Sequence, residues 1–566
     1  MLNKLTKRST TETITSIVFV VLFLFILLSS FVQFTDKLIF ESELILLYTL
    51  IKQFYEYGFL LSLKDSVCSW KRVVFICCCV ILELLFIVLF IEKCGSYTLM
   101  LSIFVKCSIV AFTGTITSYL YYVVWHKEIA HTFKVLCFSL GMVFMTVIPV
   151  GVVPDEGMHS FTAYRISNTF LGIKNEEDKI TMRKTDGEKW LVSESGYYSN
   201  ENYELYFESV NNENVDKTLC SYELPYTIGT NYLYVIPALG ITIGRLLSLN
   251  TYQIYFLGRI CNFLLYLFGM FYVIKKIPFK KMIFVVLSML PVFLQLGVSN
   301  SYDIPINLMI MVIIVQSIRI FMNKRQDMNI LDWFLLGISC LAMCFVKSHA
   351  YILVGLMPLL CLGMKKINES KHNKQILVCL CVLIAVGVVG VFILARLLPT
   401  VVLSDSDSYS FLYLLQNPKE IFAIAYNTLS AFDTYYLDSF IGKYLGYLDI
   451  YMPSYIIYMY YGILLFLFIP KDEERKQLSA GIKVVFTFVS LMTAAFAIFG
   501  MLLANSTIGD RMVLGMQGRY LLASVTLLFF VIEPRFVTSV QKKDTDIFCI
   551  FALTELFTTG YLMLLL

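Results

Sequence analysis

Apolar runs long enough to cross a lipid bilayer recur from Ile14 to the C-terminus, and short charged clusters separate them. A transmembrane helix needs roughly 17 to 25 predominantly apolar residues. Of the 566 residues, 58% are hydrophobic and only 15% are charged, whereas soluble proteins carry about 25% charged residues. The sequence therefore predicts an all-α integral membrane protein, a polytopic bundle of about fifteen transmembrane helices.

The placement of the basic residues predicts how these helices are oriented. The formal net charge of +4 is too small to indicate nucleic acid as a partner, but loops rich in Lys and Arg favour the cytoplasmic side of a membrane. Counted from a cytoplasmic N-terminus, five predicted spans bring the chain outside at Val153. The polar loop 153–230 is then extracytoplasmic, and its length marks it as functional or disordered.

This topology divides the chain into three segments. They are a four-span N-terminal extension, a main membrane domain, and a last loop with a final span, at 1–134, 135–534 and 535–566. A second outer loop is predicted at 398–452. The apolar stretch 232–249 is predicted to be a juxtamembrane helix on the outer face, because a crossing there would put the lysines of 275–281 outside.

Ionisable residues at the ends of apolar helices are costly to place there, so each is a hypothesis for a functional site. The predicted topology brings several of them to the outer face, although they are far apart in sequence. They are Asp155, Glu156 and His159 after the fifth span, Asp303 at the start of a later span, Lys347 and His349 between two spans, and Arg519 near the C-terminus.

Carboxylates and cations at one membrane surface suit the transfer of a sugar from a lipid-phosphate donor. A carboxylate can accept the proton of the attacking hydroxyl, while Lys and Arg neutralise the departing phosphate. We predict Asp155 as the general base, and His159 shares its helix face if a helix begins there. Structural roles stay open for each of these residues. They are helix N-caps for Asp155, Glu156 and Asp303, contact with lipid headgroups for Lys347 and Arg519, and ordinary interfacial positions for His159 and His349.

Several motifs carry a resemblance to a known family. The first is Pro154, Asp155, Glu156 and His159, followed by Tyr164 and Arg165, and the most specific is Gly515, Met516, Gln517, Gly518, Arg519 and Tyr520. Further matches are Tyr232, Leu233 and Pro237 to Gly240; Leu257 to Arg259 with Asn262; Ser301 to Asp303; Lys347; and Leu445 to Asp449 with Pro453. Over about 135–534 the chain resembles bacterial polytopic membrane proteins of domain-of-unknown-function family 2142, which is similar to the GT-C class of membrane glycosyltransferases.

The resemblance implies a GT-C-like fold and a polyprenyl-phosphate-linked sugar as donor. The sugar would pass to a cell-envelope polysaccharide or glycolipid at the outer face of the bacterial cytoplasmic membrane. Asp155, Glu156 and His159 would be catalytic; Lys347, Arg519 and Arg165 would bind the donor phosphate; and Asp303, Gln517, Tyr520 and His349 would contact substrate or support the site. The resemblance establishes no cofactor, and a divalent metal, Mg or Mn, on Asp155 and Asp303 stays open.

Two departures from the family pattern concern local shape. Val153 stands where a proline is expected, and Ser348 with His349 follows Lys347 where a proline and an aromatic residue are usual. Three other functions also fit the sequence: a flippase or exporter of lipid-linked glycans, a polysaccharide polymerase, and a noncatalytic assembly protein. A transporter would be expected to show related halves and helices broken near the midplane, and no such repeat is visible.

Overall fold

The structure is a computed structural model. It describes residues 2–29, 32–66, 69–175, 179–192, 199–212, 214–223, 231–322, 324, 326–346, 350–369, 393, 397–398, 404–471, 474, 477–534 and 544–566. Lys347, His349 and most of the span predicted at 375–397 lie outside the described residues.

The first quarter of the chain, where five spans are predicted, is a series of six helices. Their bounds are α1 Leu2–Leu28, α2 Phe34–Tyr57, α3 Phe59–Ser66, α4 Trp70–Cys94, α5 Thr98–Tyr119 and α6 Ile129–Val147. A single π-helical turn, Leu120–Val124, extends α5. Long apolar sequences with few breakers favour helices here, since an isolated backbone in hydrocarbon has to satisfy its hydrogen bonds within a helix.

The loop predicted at 153–230 is folded over its described parts. Its elements are α7 Glu156–Phe170, β1 Lys179–Arg183, α8 Lys184–Val192, α9 Asn200–Asn212 and β2 Leu219–Glu223. The two strands pair antiparallel, with Lys179 opposite Glu223. A short 3-10 turn, Asn231–Tyr234, then leads into α10, Val235–Leu246. With 12 residues, α10 is about 18 Å long, too short to cross the roughly 30 Å hydrocarbon core.

The central helices contain one break that the apolar pattern does not predict. The elements are α11 Thr251–Lys276, α12 Lys281–Met289, α13 Pro291–Gly297, α14 Asp303–Phe321, α15 Ile330–Met343 and α16 Ile352–Glu369. The predicted span 282–299 is divided into α12 and α13 at Pro291, which is the first residue of α13. Proline has no N–H to donate and its ring clashes with the preceding turn, so it ends one helix and starts the next.

The segment predicted as a second outer loop, 398–452, is also structured where it is described. It contains α17 Phe411–Gln416, α18 Pro418–Ala431, α19 Tyr435–Ile441 and a small hairpin of β3 Tyr444–Leu445 and β4 Ile450–Tyr451. The helices α20 Ser454–Phe468, α21 Ala480–Asn505, α22 Leu522–Val531 and α23 Asp544–Leu565 follow. A 3-10 turn, Gly518–Leu521, runs directly into α22.

Within the described residues, 7 helices are long and apolar enough to cross a membrane. They are α4, α5 with its π-turn, α6, α11, α14, α21 and α23. Further apolar helices are shorter, among them α10, α15, α20 and the segment Gly518–Val531. The prediction of an all-α membrane-embedded protein is confirmed, whereas the count of fifteen spans and the GT-C fold stay predictions.

Two of the basic clusters used for the topology, those of Lys71 and Lys471, lie near the start of α23. Lys71 at the start of α4 pairs with Asp546 of α23 at 2.9 Å, and Lys471 pairs with Asp544 at 2.6 Å. The loop 153–230 lies at the other end of α4, where Asn200 donates to Lys93 O at 2.8 Å. A helix of 25 residues separates the two groups by about 36 Å.

The helix α9 docks onto the N-terminal spans. The Glu204 carboxylate accepts the backbone N–H groups of Leu99 and Met100, at 3.0 and 2.7 Å, and so caps the free N–H groups that begin α5. Asn211 Oδ1 accepts the Thr35 N–H at the start of α2, at 3.2 Å. Buried residues from all three predicted segments form one hydrophobic core that extends from Leu38 to Leu566.

Candidate functional site

Asp155 stands at the junction between the end of α6 and the start of α7. Its backbone is left-handed, with φ 61° and ψ 5°, and its side chain does not cap α7. Aspartate is one of the few residues with a side chain that adopt this conformation without large strain. The carboxylate is 55% exposed, so it is open to solvent instead of being used by its own helix.

Asp303 is the first residue of α14 and is buried. The turn before it is fixed by Asn262 of α11, whose side-chain amide donates to Ser299 O at 2.9 Å and to Ser301 O at 3.0 Å. The Asp303 N–H donates to Ser301 Oγ at 3.1 Å. The Asp303 carboxylate is therefore held in place by its backbone and by a helix other than its own.

Arg519 joins these two carboxylates although it is remote from both in sequence. Its Nη2 lies 3.6 Å from Asp155 Oδ2, and its Nε lies 3.4 Å from Asp303 Oδ2. The Arg519 side chain is only 4% exposed. Both distances exceed the roughly 2.7–2.9 Å of a charge-assisted hydrogen bond, and Arg519 Nε makes no hydrogen bond within the described part of the chain. The guanidinium thus lies between two carboxylates without closing on either.

Gly518 allows the segment that carries Arg519 to approach α19. Its N–H donates to Ser439 Oγ at 2.9 Å. A Cβ atom added here would lie 2.1 Å from Tyr436 O and 2.3 Å from Phe440 N, closer than real Cβ atoms come to backbone. Only glycine fits this contact.

Replacing Gly518 with alanine should displace the Arg519 segment and destabilise the protein by about 1–3 kcal/mol, the usual cost of forcing atoms into a packed interior. The measurement is the midpoint of thermal unfolding of the purified protein. Gly337→Ala is the matched control, because a Cβ there meets nothing within 4 Å. Equal midpoints for the two variants would refute the close approach.

An aromatic cluster borders the carboxylates. His159 Nδ1 and Tyr234 Oη share a hydrogen bond of 2.8 Å, and the Tyr302 ring packs edge-on against His159 with centroids 4.8 Å apart. Burial, with the neighbouring Tyr302 and the carboxylates of Asp303 and Asp155, raises the pKa of Tyr234 well above its usual range. The Tyr234 phenol is therefore protonated at neutral pH. Tyr234 is not among the site residues predicted from the sequence. The available signal was its position at the start of the apolar stretch 232–249.

Glu156 forms a different contact from its neighbour Asp155. It is fully buried and accepts two hydrogen bonds from Arg259 of α11, at 2.7 and 2.6 Å. The backbone N–H groups of Gly151 and Asn300 also donate to it, at 2.9 and 3.1 Å. Both carboxylate oxygens are thus occupied. This arrangement favours a framework role for Glu156 over the predicted catalytic one.

Arg259 extends this framework to the end of α6. Its Nη1 donates to Ile148 O at 2.7 Å, and its Nη2 donates to Pro149 O at 2.8 Å. The Glu156–Arg259 pair therefore ties α7, α11, the segment after α6 and the turn before α14 together. These are the elements that position Asp155 and Asp303.

The loop has a second buried ion pair that holds it against α11. Arg183 of β1 donates to both oxygens of Asp186, at 2.6 and 2.9 Å. Tyr164 of α7 and Thr251 of α11 also donate to Asp186, at 2.8 and 2.9 Å. The network joins the strand β1, the helix α7 and the start of α11, so the loop is rigidly attached to the bundle on this side.

The remaining predicted residues are distributed unevenly around the site. Tyr520 Oη accepts from Arg519 Nη2 at 3.2 Å, and Gln517 precedes Gly518 and is half-buried. Arg165 is half-buried on α7, about 15 Å along the axis from Asp155, and no described contact brings it to Arg519.

The predicted metal ligands Asp155 and Asp303 both approach Arg519, whose guanidinium supplies the positive charge between them. Within the described residues, no group of three or more His, Cys, Asp or Glu side chains could hold a metal ion. Two carboxylates alone are a sparse ligand set for Mg²⁺, which keeps near-octahedral oxygen geometry. The metal stays a prediction, and no step below depends on it.

Comparison with known proteins gives one match. A family model described as a predicted membrane protein, DUF2142, matches residues 138–528. That range contains Asp155, Asp303 and Arg519, and it ends before α23. No curated protein and no solved structure matches the chain.

Proposed function

This chain belongs to the DUF2142 family of predicted membrane proteins, and we propose that it is a membrane glycosyltransferase. The donor is a polyprenyl-phosphate-linked sugar, and the acceptor is a hydroxyl of a cell-envelope polysaccharide or glycolipid. The reaction takes place on the extracytoplasmic face of the bacterial cytoplasmic membrane. The observation that carries the proposal is the buried guanidinium of Arg519 between Asp155 and Asp303.

In this mechanism the acceptor hydroxyl attacks the anomeric carbon of the donor. The new bond joins the acceptor oxygen to that carbon, and the bond from the carbon to the phosphate oxygen breaks with its electron pair. The hydroxyl proton passes to Asp155, a carboxylate with access to solvent. The lipid phosphate leaves as an anion, so no acid has to protonate it.

Arg519 stabilises the departing phosphate in this scheme. A guanidinium binds phosphate through two parallel N–H donors, which gives both charge and direction. The long contacts to Asp155 and Asp303 leave Arg519 Nε without a hydrogen bond among the described residues, so this donor is available to a ligand. Asp303 is a positioning residue, since it is buried and holds the guanidinium from the side of α14.

The aromatic cluster of His159, Tyr234 and Tyr302 forms the wall beside Arg519 and its two carboxylates. Aromatic faces carry apolar area with little conformational freedom to lose, and they suit the C–H-rich face of a sugar ring. The same cluster fixes α7 to the start of α10, which keeps Asp155 in place.

Asp155→Asn tests the assignment of the base. Purified protein is given a labelled polyprenyl-phosphate sugar and acceptor glycans, and transfer by the variant should fall by about a hundredfold to ten-thousandfold, the usual contribution of a general base. Asp216→Asn is the matched control, because Asp216 is an exposed carboxylate of the same loop, and it should transfer at the wild-type rate. Equal transfer by Asp155→Asn and wild type would eliminate Asp155 as the base.

A further inference from the structure

An apolar groove opens beside the site, between the start of α16 and the C-terminal half of α21. We call it the lateral groove, and its lining includes Ala350, Ile352, Phe496, Phe499, Gly500 and Leu503. Its volume is about 420 Å³, and the described residues that line it are apolar. A groove of this composition favours a hydrocarbon ligand, since burial of apolar surface is favourable at about 25 cal/mol per Å².

Small residues form the floor of the lateral groove. A Cβ atom added at Gly500 would meet nothing within 4 Å, so the space above this residue is open. Phe499 forms one wall and is itself fixed by the ring of Phe411 of α17, with centroids 5.8 Å apart. The groove is therefore an open depression with an aromatic side chain on one side, and that side chain packs against a second ring.

Tyr351 connects the lateral groove to Arg519. It lies between the lining residues Ala350 and Ile352, its side chain is buried, and its hydroxyl donates to Tyr520 O at 3.1 Å. Tyr520 directly follows Arg519 and accepts its Nη2–H through the phenol oxygen. Tyr351 thus joins the segment that begins α16, which lines the groove, to the segment that carries Arg519.

We infer that the lateral groove holds the hydrocarbon chain of an isoprenoid phosphate whose phosphate lies against Arg519. This inference rests on the proposed function and adds the place of the lipid carrier. A groove lined by apolar side chains and joined through Tyr351 and Tyr520 to the segment that carries Arg519 matches a ligand with one anionic head and one long apolar chain. A nucleotide sugar has no such chain to place there. The groove also borders α21, which is long and apolar enough to cross the membrane, so the chain can enter from the bilayer.

The experiment measures binding directly and does not require sugar transfer. Geranylgeranyl phosphate with a diazirine on its last isoprene unit is photolysed with the full-length protein in lipid nanodiscs, and the labelled peptides are mapped by mass spectrometry. We expect labelling within residues 496–504. Unlabelled geranylgeranyl phosphate should displace it, whereas geranylgeraniol and phosphatidylglycerol at the same concentration should not.

Gly500→Trp fills the lateral groove and should weaken this displaceable labelling by roughly tenfold, a loss of about 1.4 kcal/mol of binding. Gly337→Trp is the matched control, since Gly337 is also open but does not line the groove, and its labelling should equal wild type. Both variants should elute as monodisperse protein, which separates a blocked groove from misfolding.

Two results would overturn the inference. One is labelling that phosphatidylglycerol displaces as well as the isoprenoid phosphate does, which would make the groove an ordinary lipid contact. The other is unchanged labelling of Gly500→Trp. Displaceable labelling without transfer from any donor would refute the glycosyltransferase while the lipid site stands. Transfer that depends on Asp155, with labelling spread evenly over the lipid-facing helices, would refute the groove alone.

Discussion

Arg259→Met should lower the free energy of unfolding by about 3–5 kcal/mol, because it leaves the Glu156 carboxylate buried without its cation. Both side chains of this pair are fully buried, so water cannot replace the lost partner. The variant also loses the hydrogen bonds to Ile148 O and Pro149 O. Thermal or denaturant unfolding of the purified protein is the measurement.

Two controls separate the buried charge from the loss of a long side chain. The double variant Glu156→Gln with Arg259→Met removes both charges and should recover part of the stability, because neither charge is then left unpaired. Lys71→Met breaks the pair with Asp546, whose side chains are 73% and 47% exposed, and should change stability by less than about 1 kcal/mol. An Arg259→Met variant as stable as Lys71→Met would contradict the framework role.

Arg519→Met should reduce sugar transfer by about a hundredfold to a thousandfold, the usual loss when one preorganised donor to developing charge is removed. It also leaves Asp155 and Asp303 without the cation between them. Arg519→Lys retains the charge but has no planar fork of donors that can face both carboxylates and a phosphate. Most of the activity should therefore be lost in the lysine variant as well.

Arg511→Met is the matched control for this experiment. Arg511 is an exposed arginine eight positions earlier in the same connecting segment, and it takes part in the fold through its backbone oxygen, which accepts from Asn427 at 3.0 Å. Its variant should transfer and bind isoprenoid phosphate as wild type does. Transfer by Arg519→Met at the wild-type rate, with normal folding, would remove Arg519 from the mechanism.

The grouping of Asp155, Asp303 and Arg519 could be predicted because each stands at a helix end that the Lys and Arg pattern assigns to one side. Such a pattern states which residues share a surface, but it contains no distances. The approach of Arg519 to within 3.6 Å of the carboxylates depends on a left-handed turn at Asp155 and on the close contact that Gly518 makes with α19. Neither feature has a periodic signal in the sequence.

The different environments of Asp155 and Glu156 could not be predicted from their adjacency. Which of two neighbouring carboxylates turns inward depends on the backbone conformation at the junction and on a partner, Arg259, more than a hundred positions away. The small sheet of the loop 153–230 was not predicted for a related reason. Its strands β1 and β2 are far apart in the chain, and short polar strands of this kind are recognised only by their partner.

The docking of α9 on α2, α4 and α5 has a consequence for biosynthesis. A ribosome makes the chain from its N-terminus, so the surfaces that receive Asn200, Glu204 and Asn211 exist before these residues are translated. The helices outside the family match thus act as an internal template on which the later loop folds. A chain that begins at residue 135 would contain every residue assigned to chemistry and still lack the scaffold against which its loop is assembled.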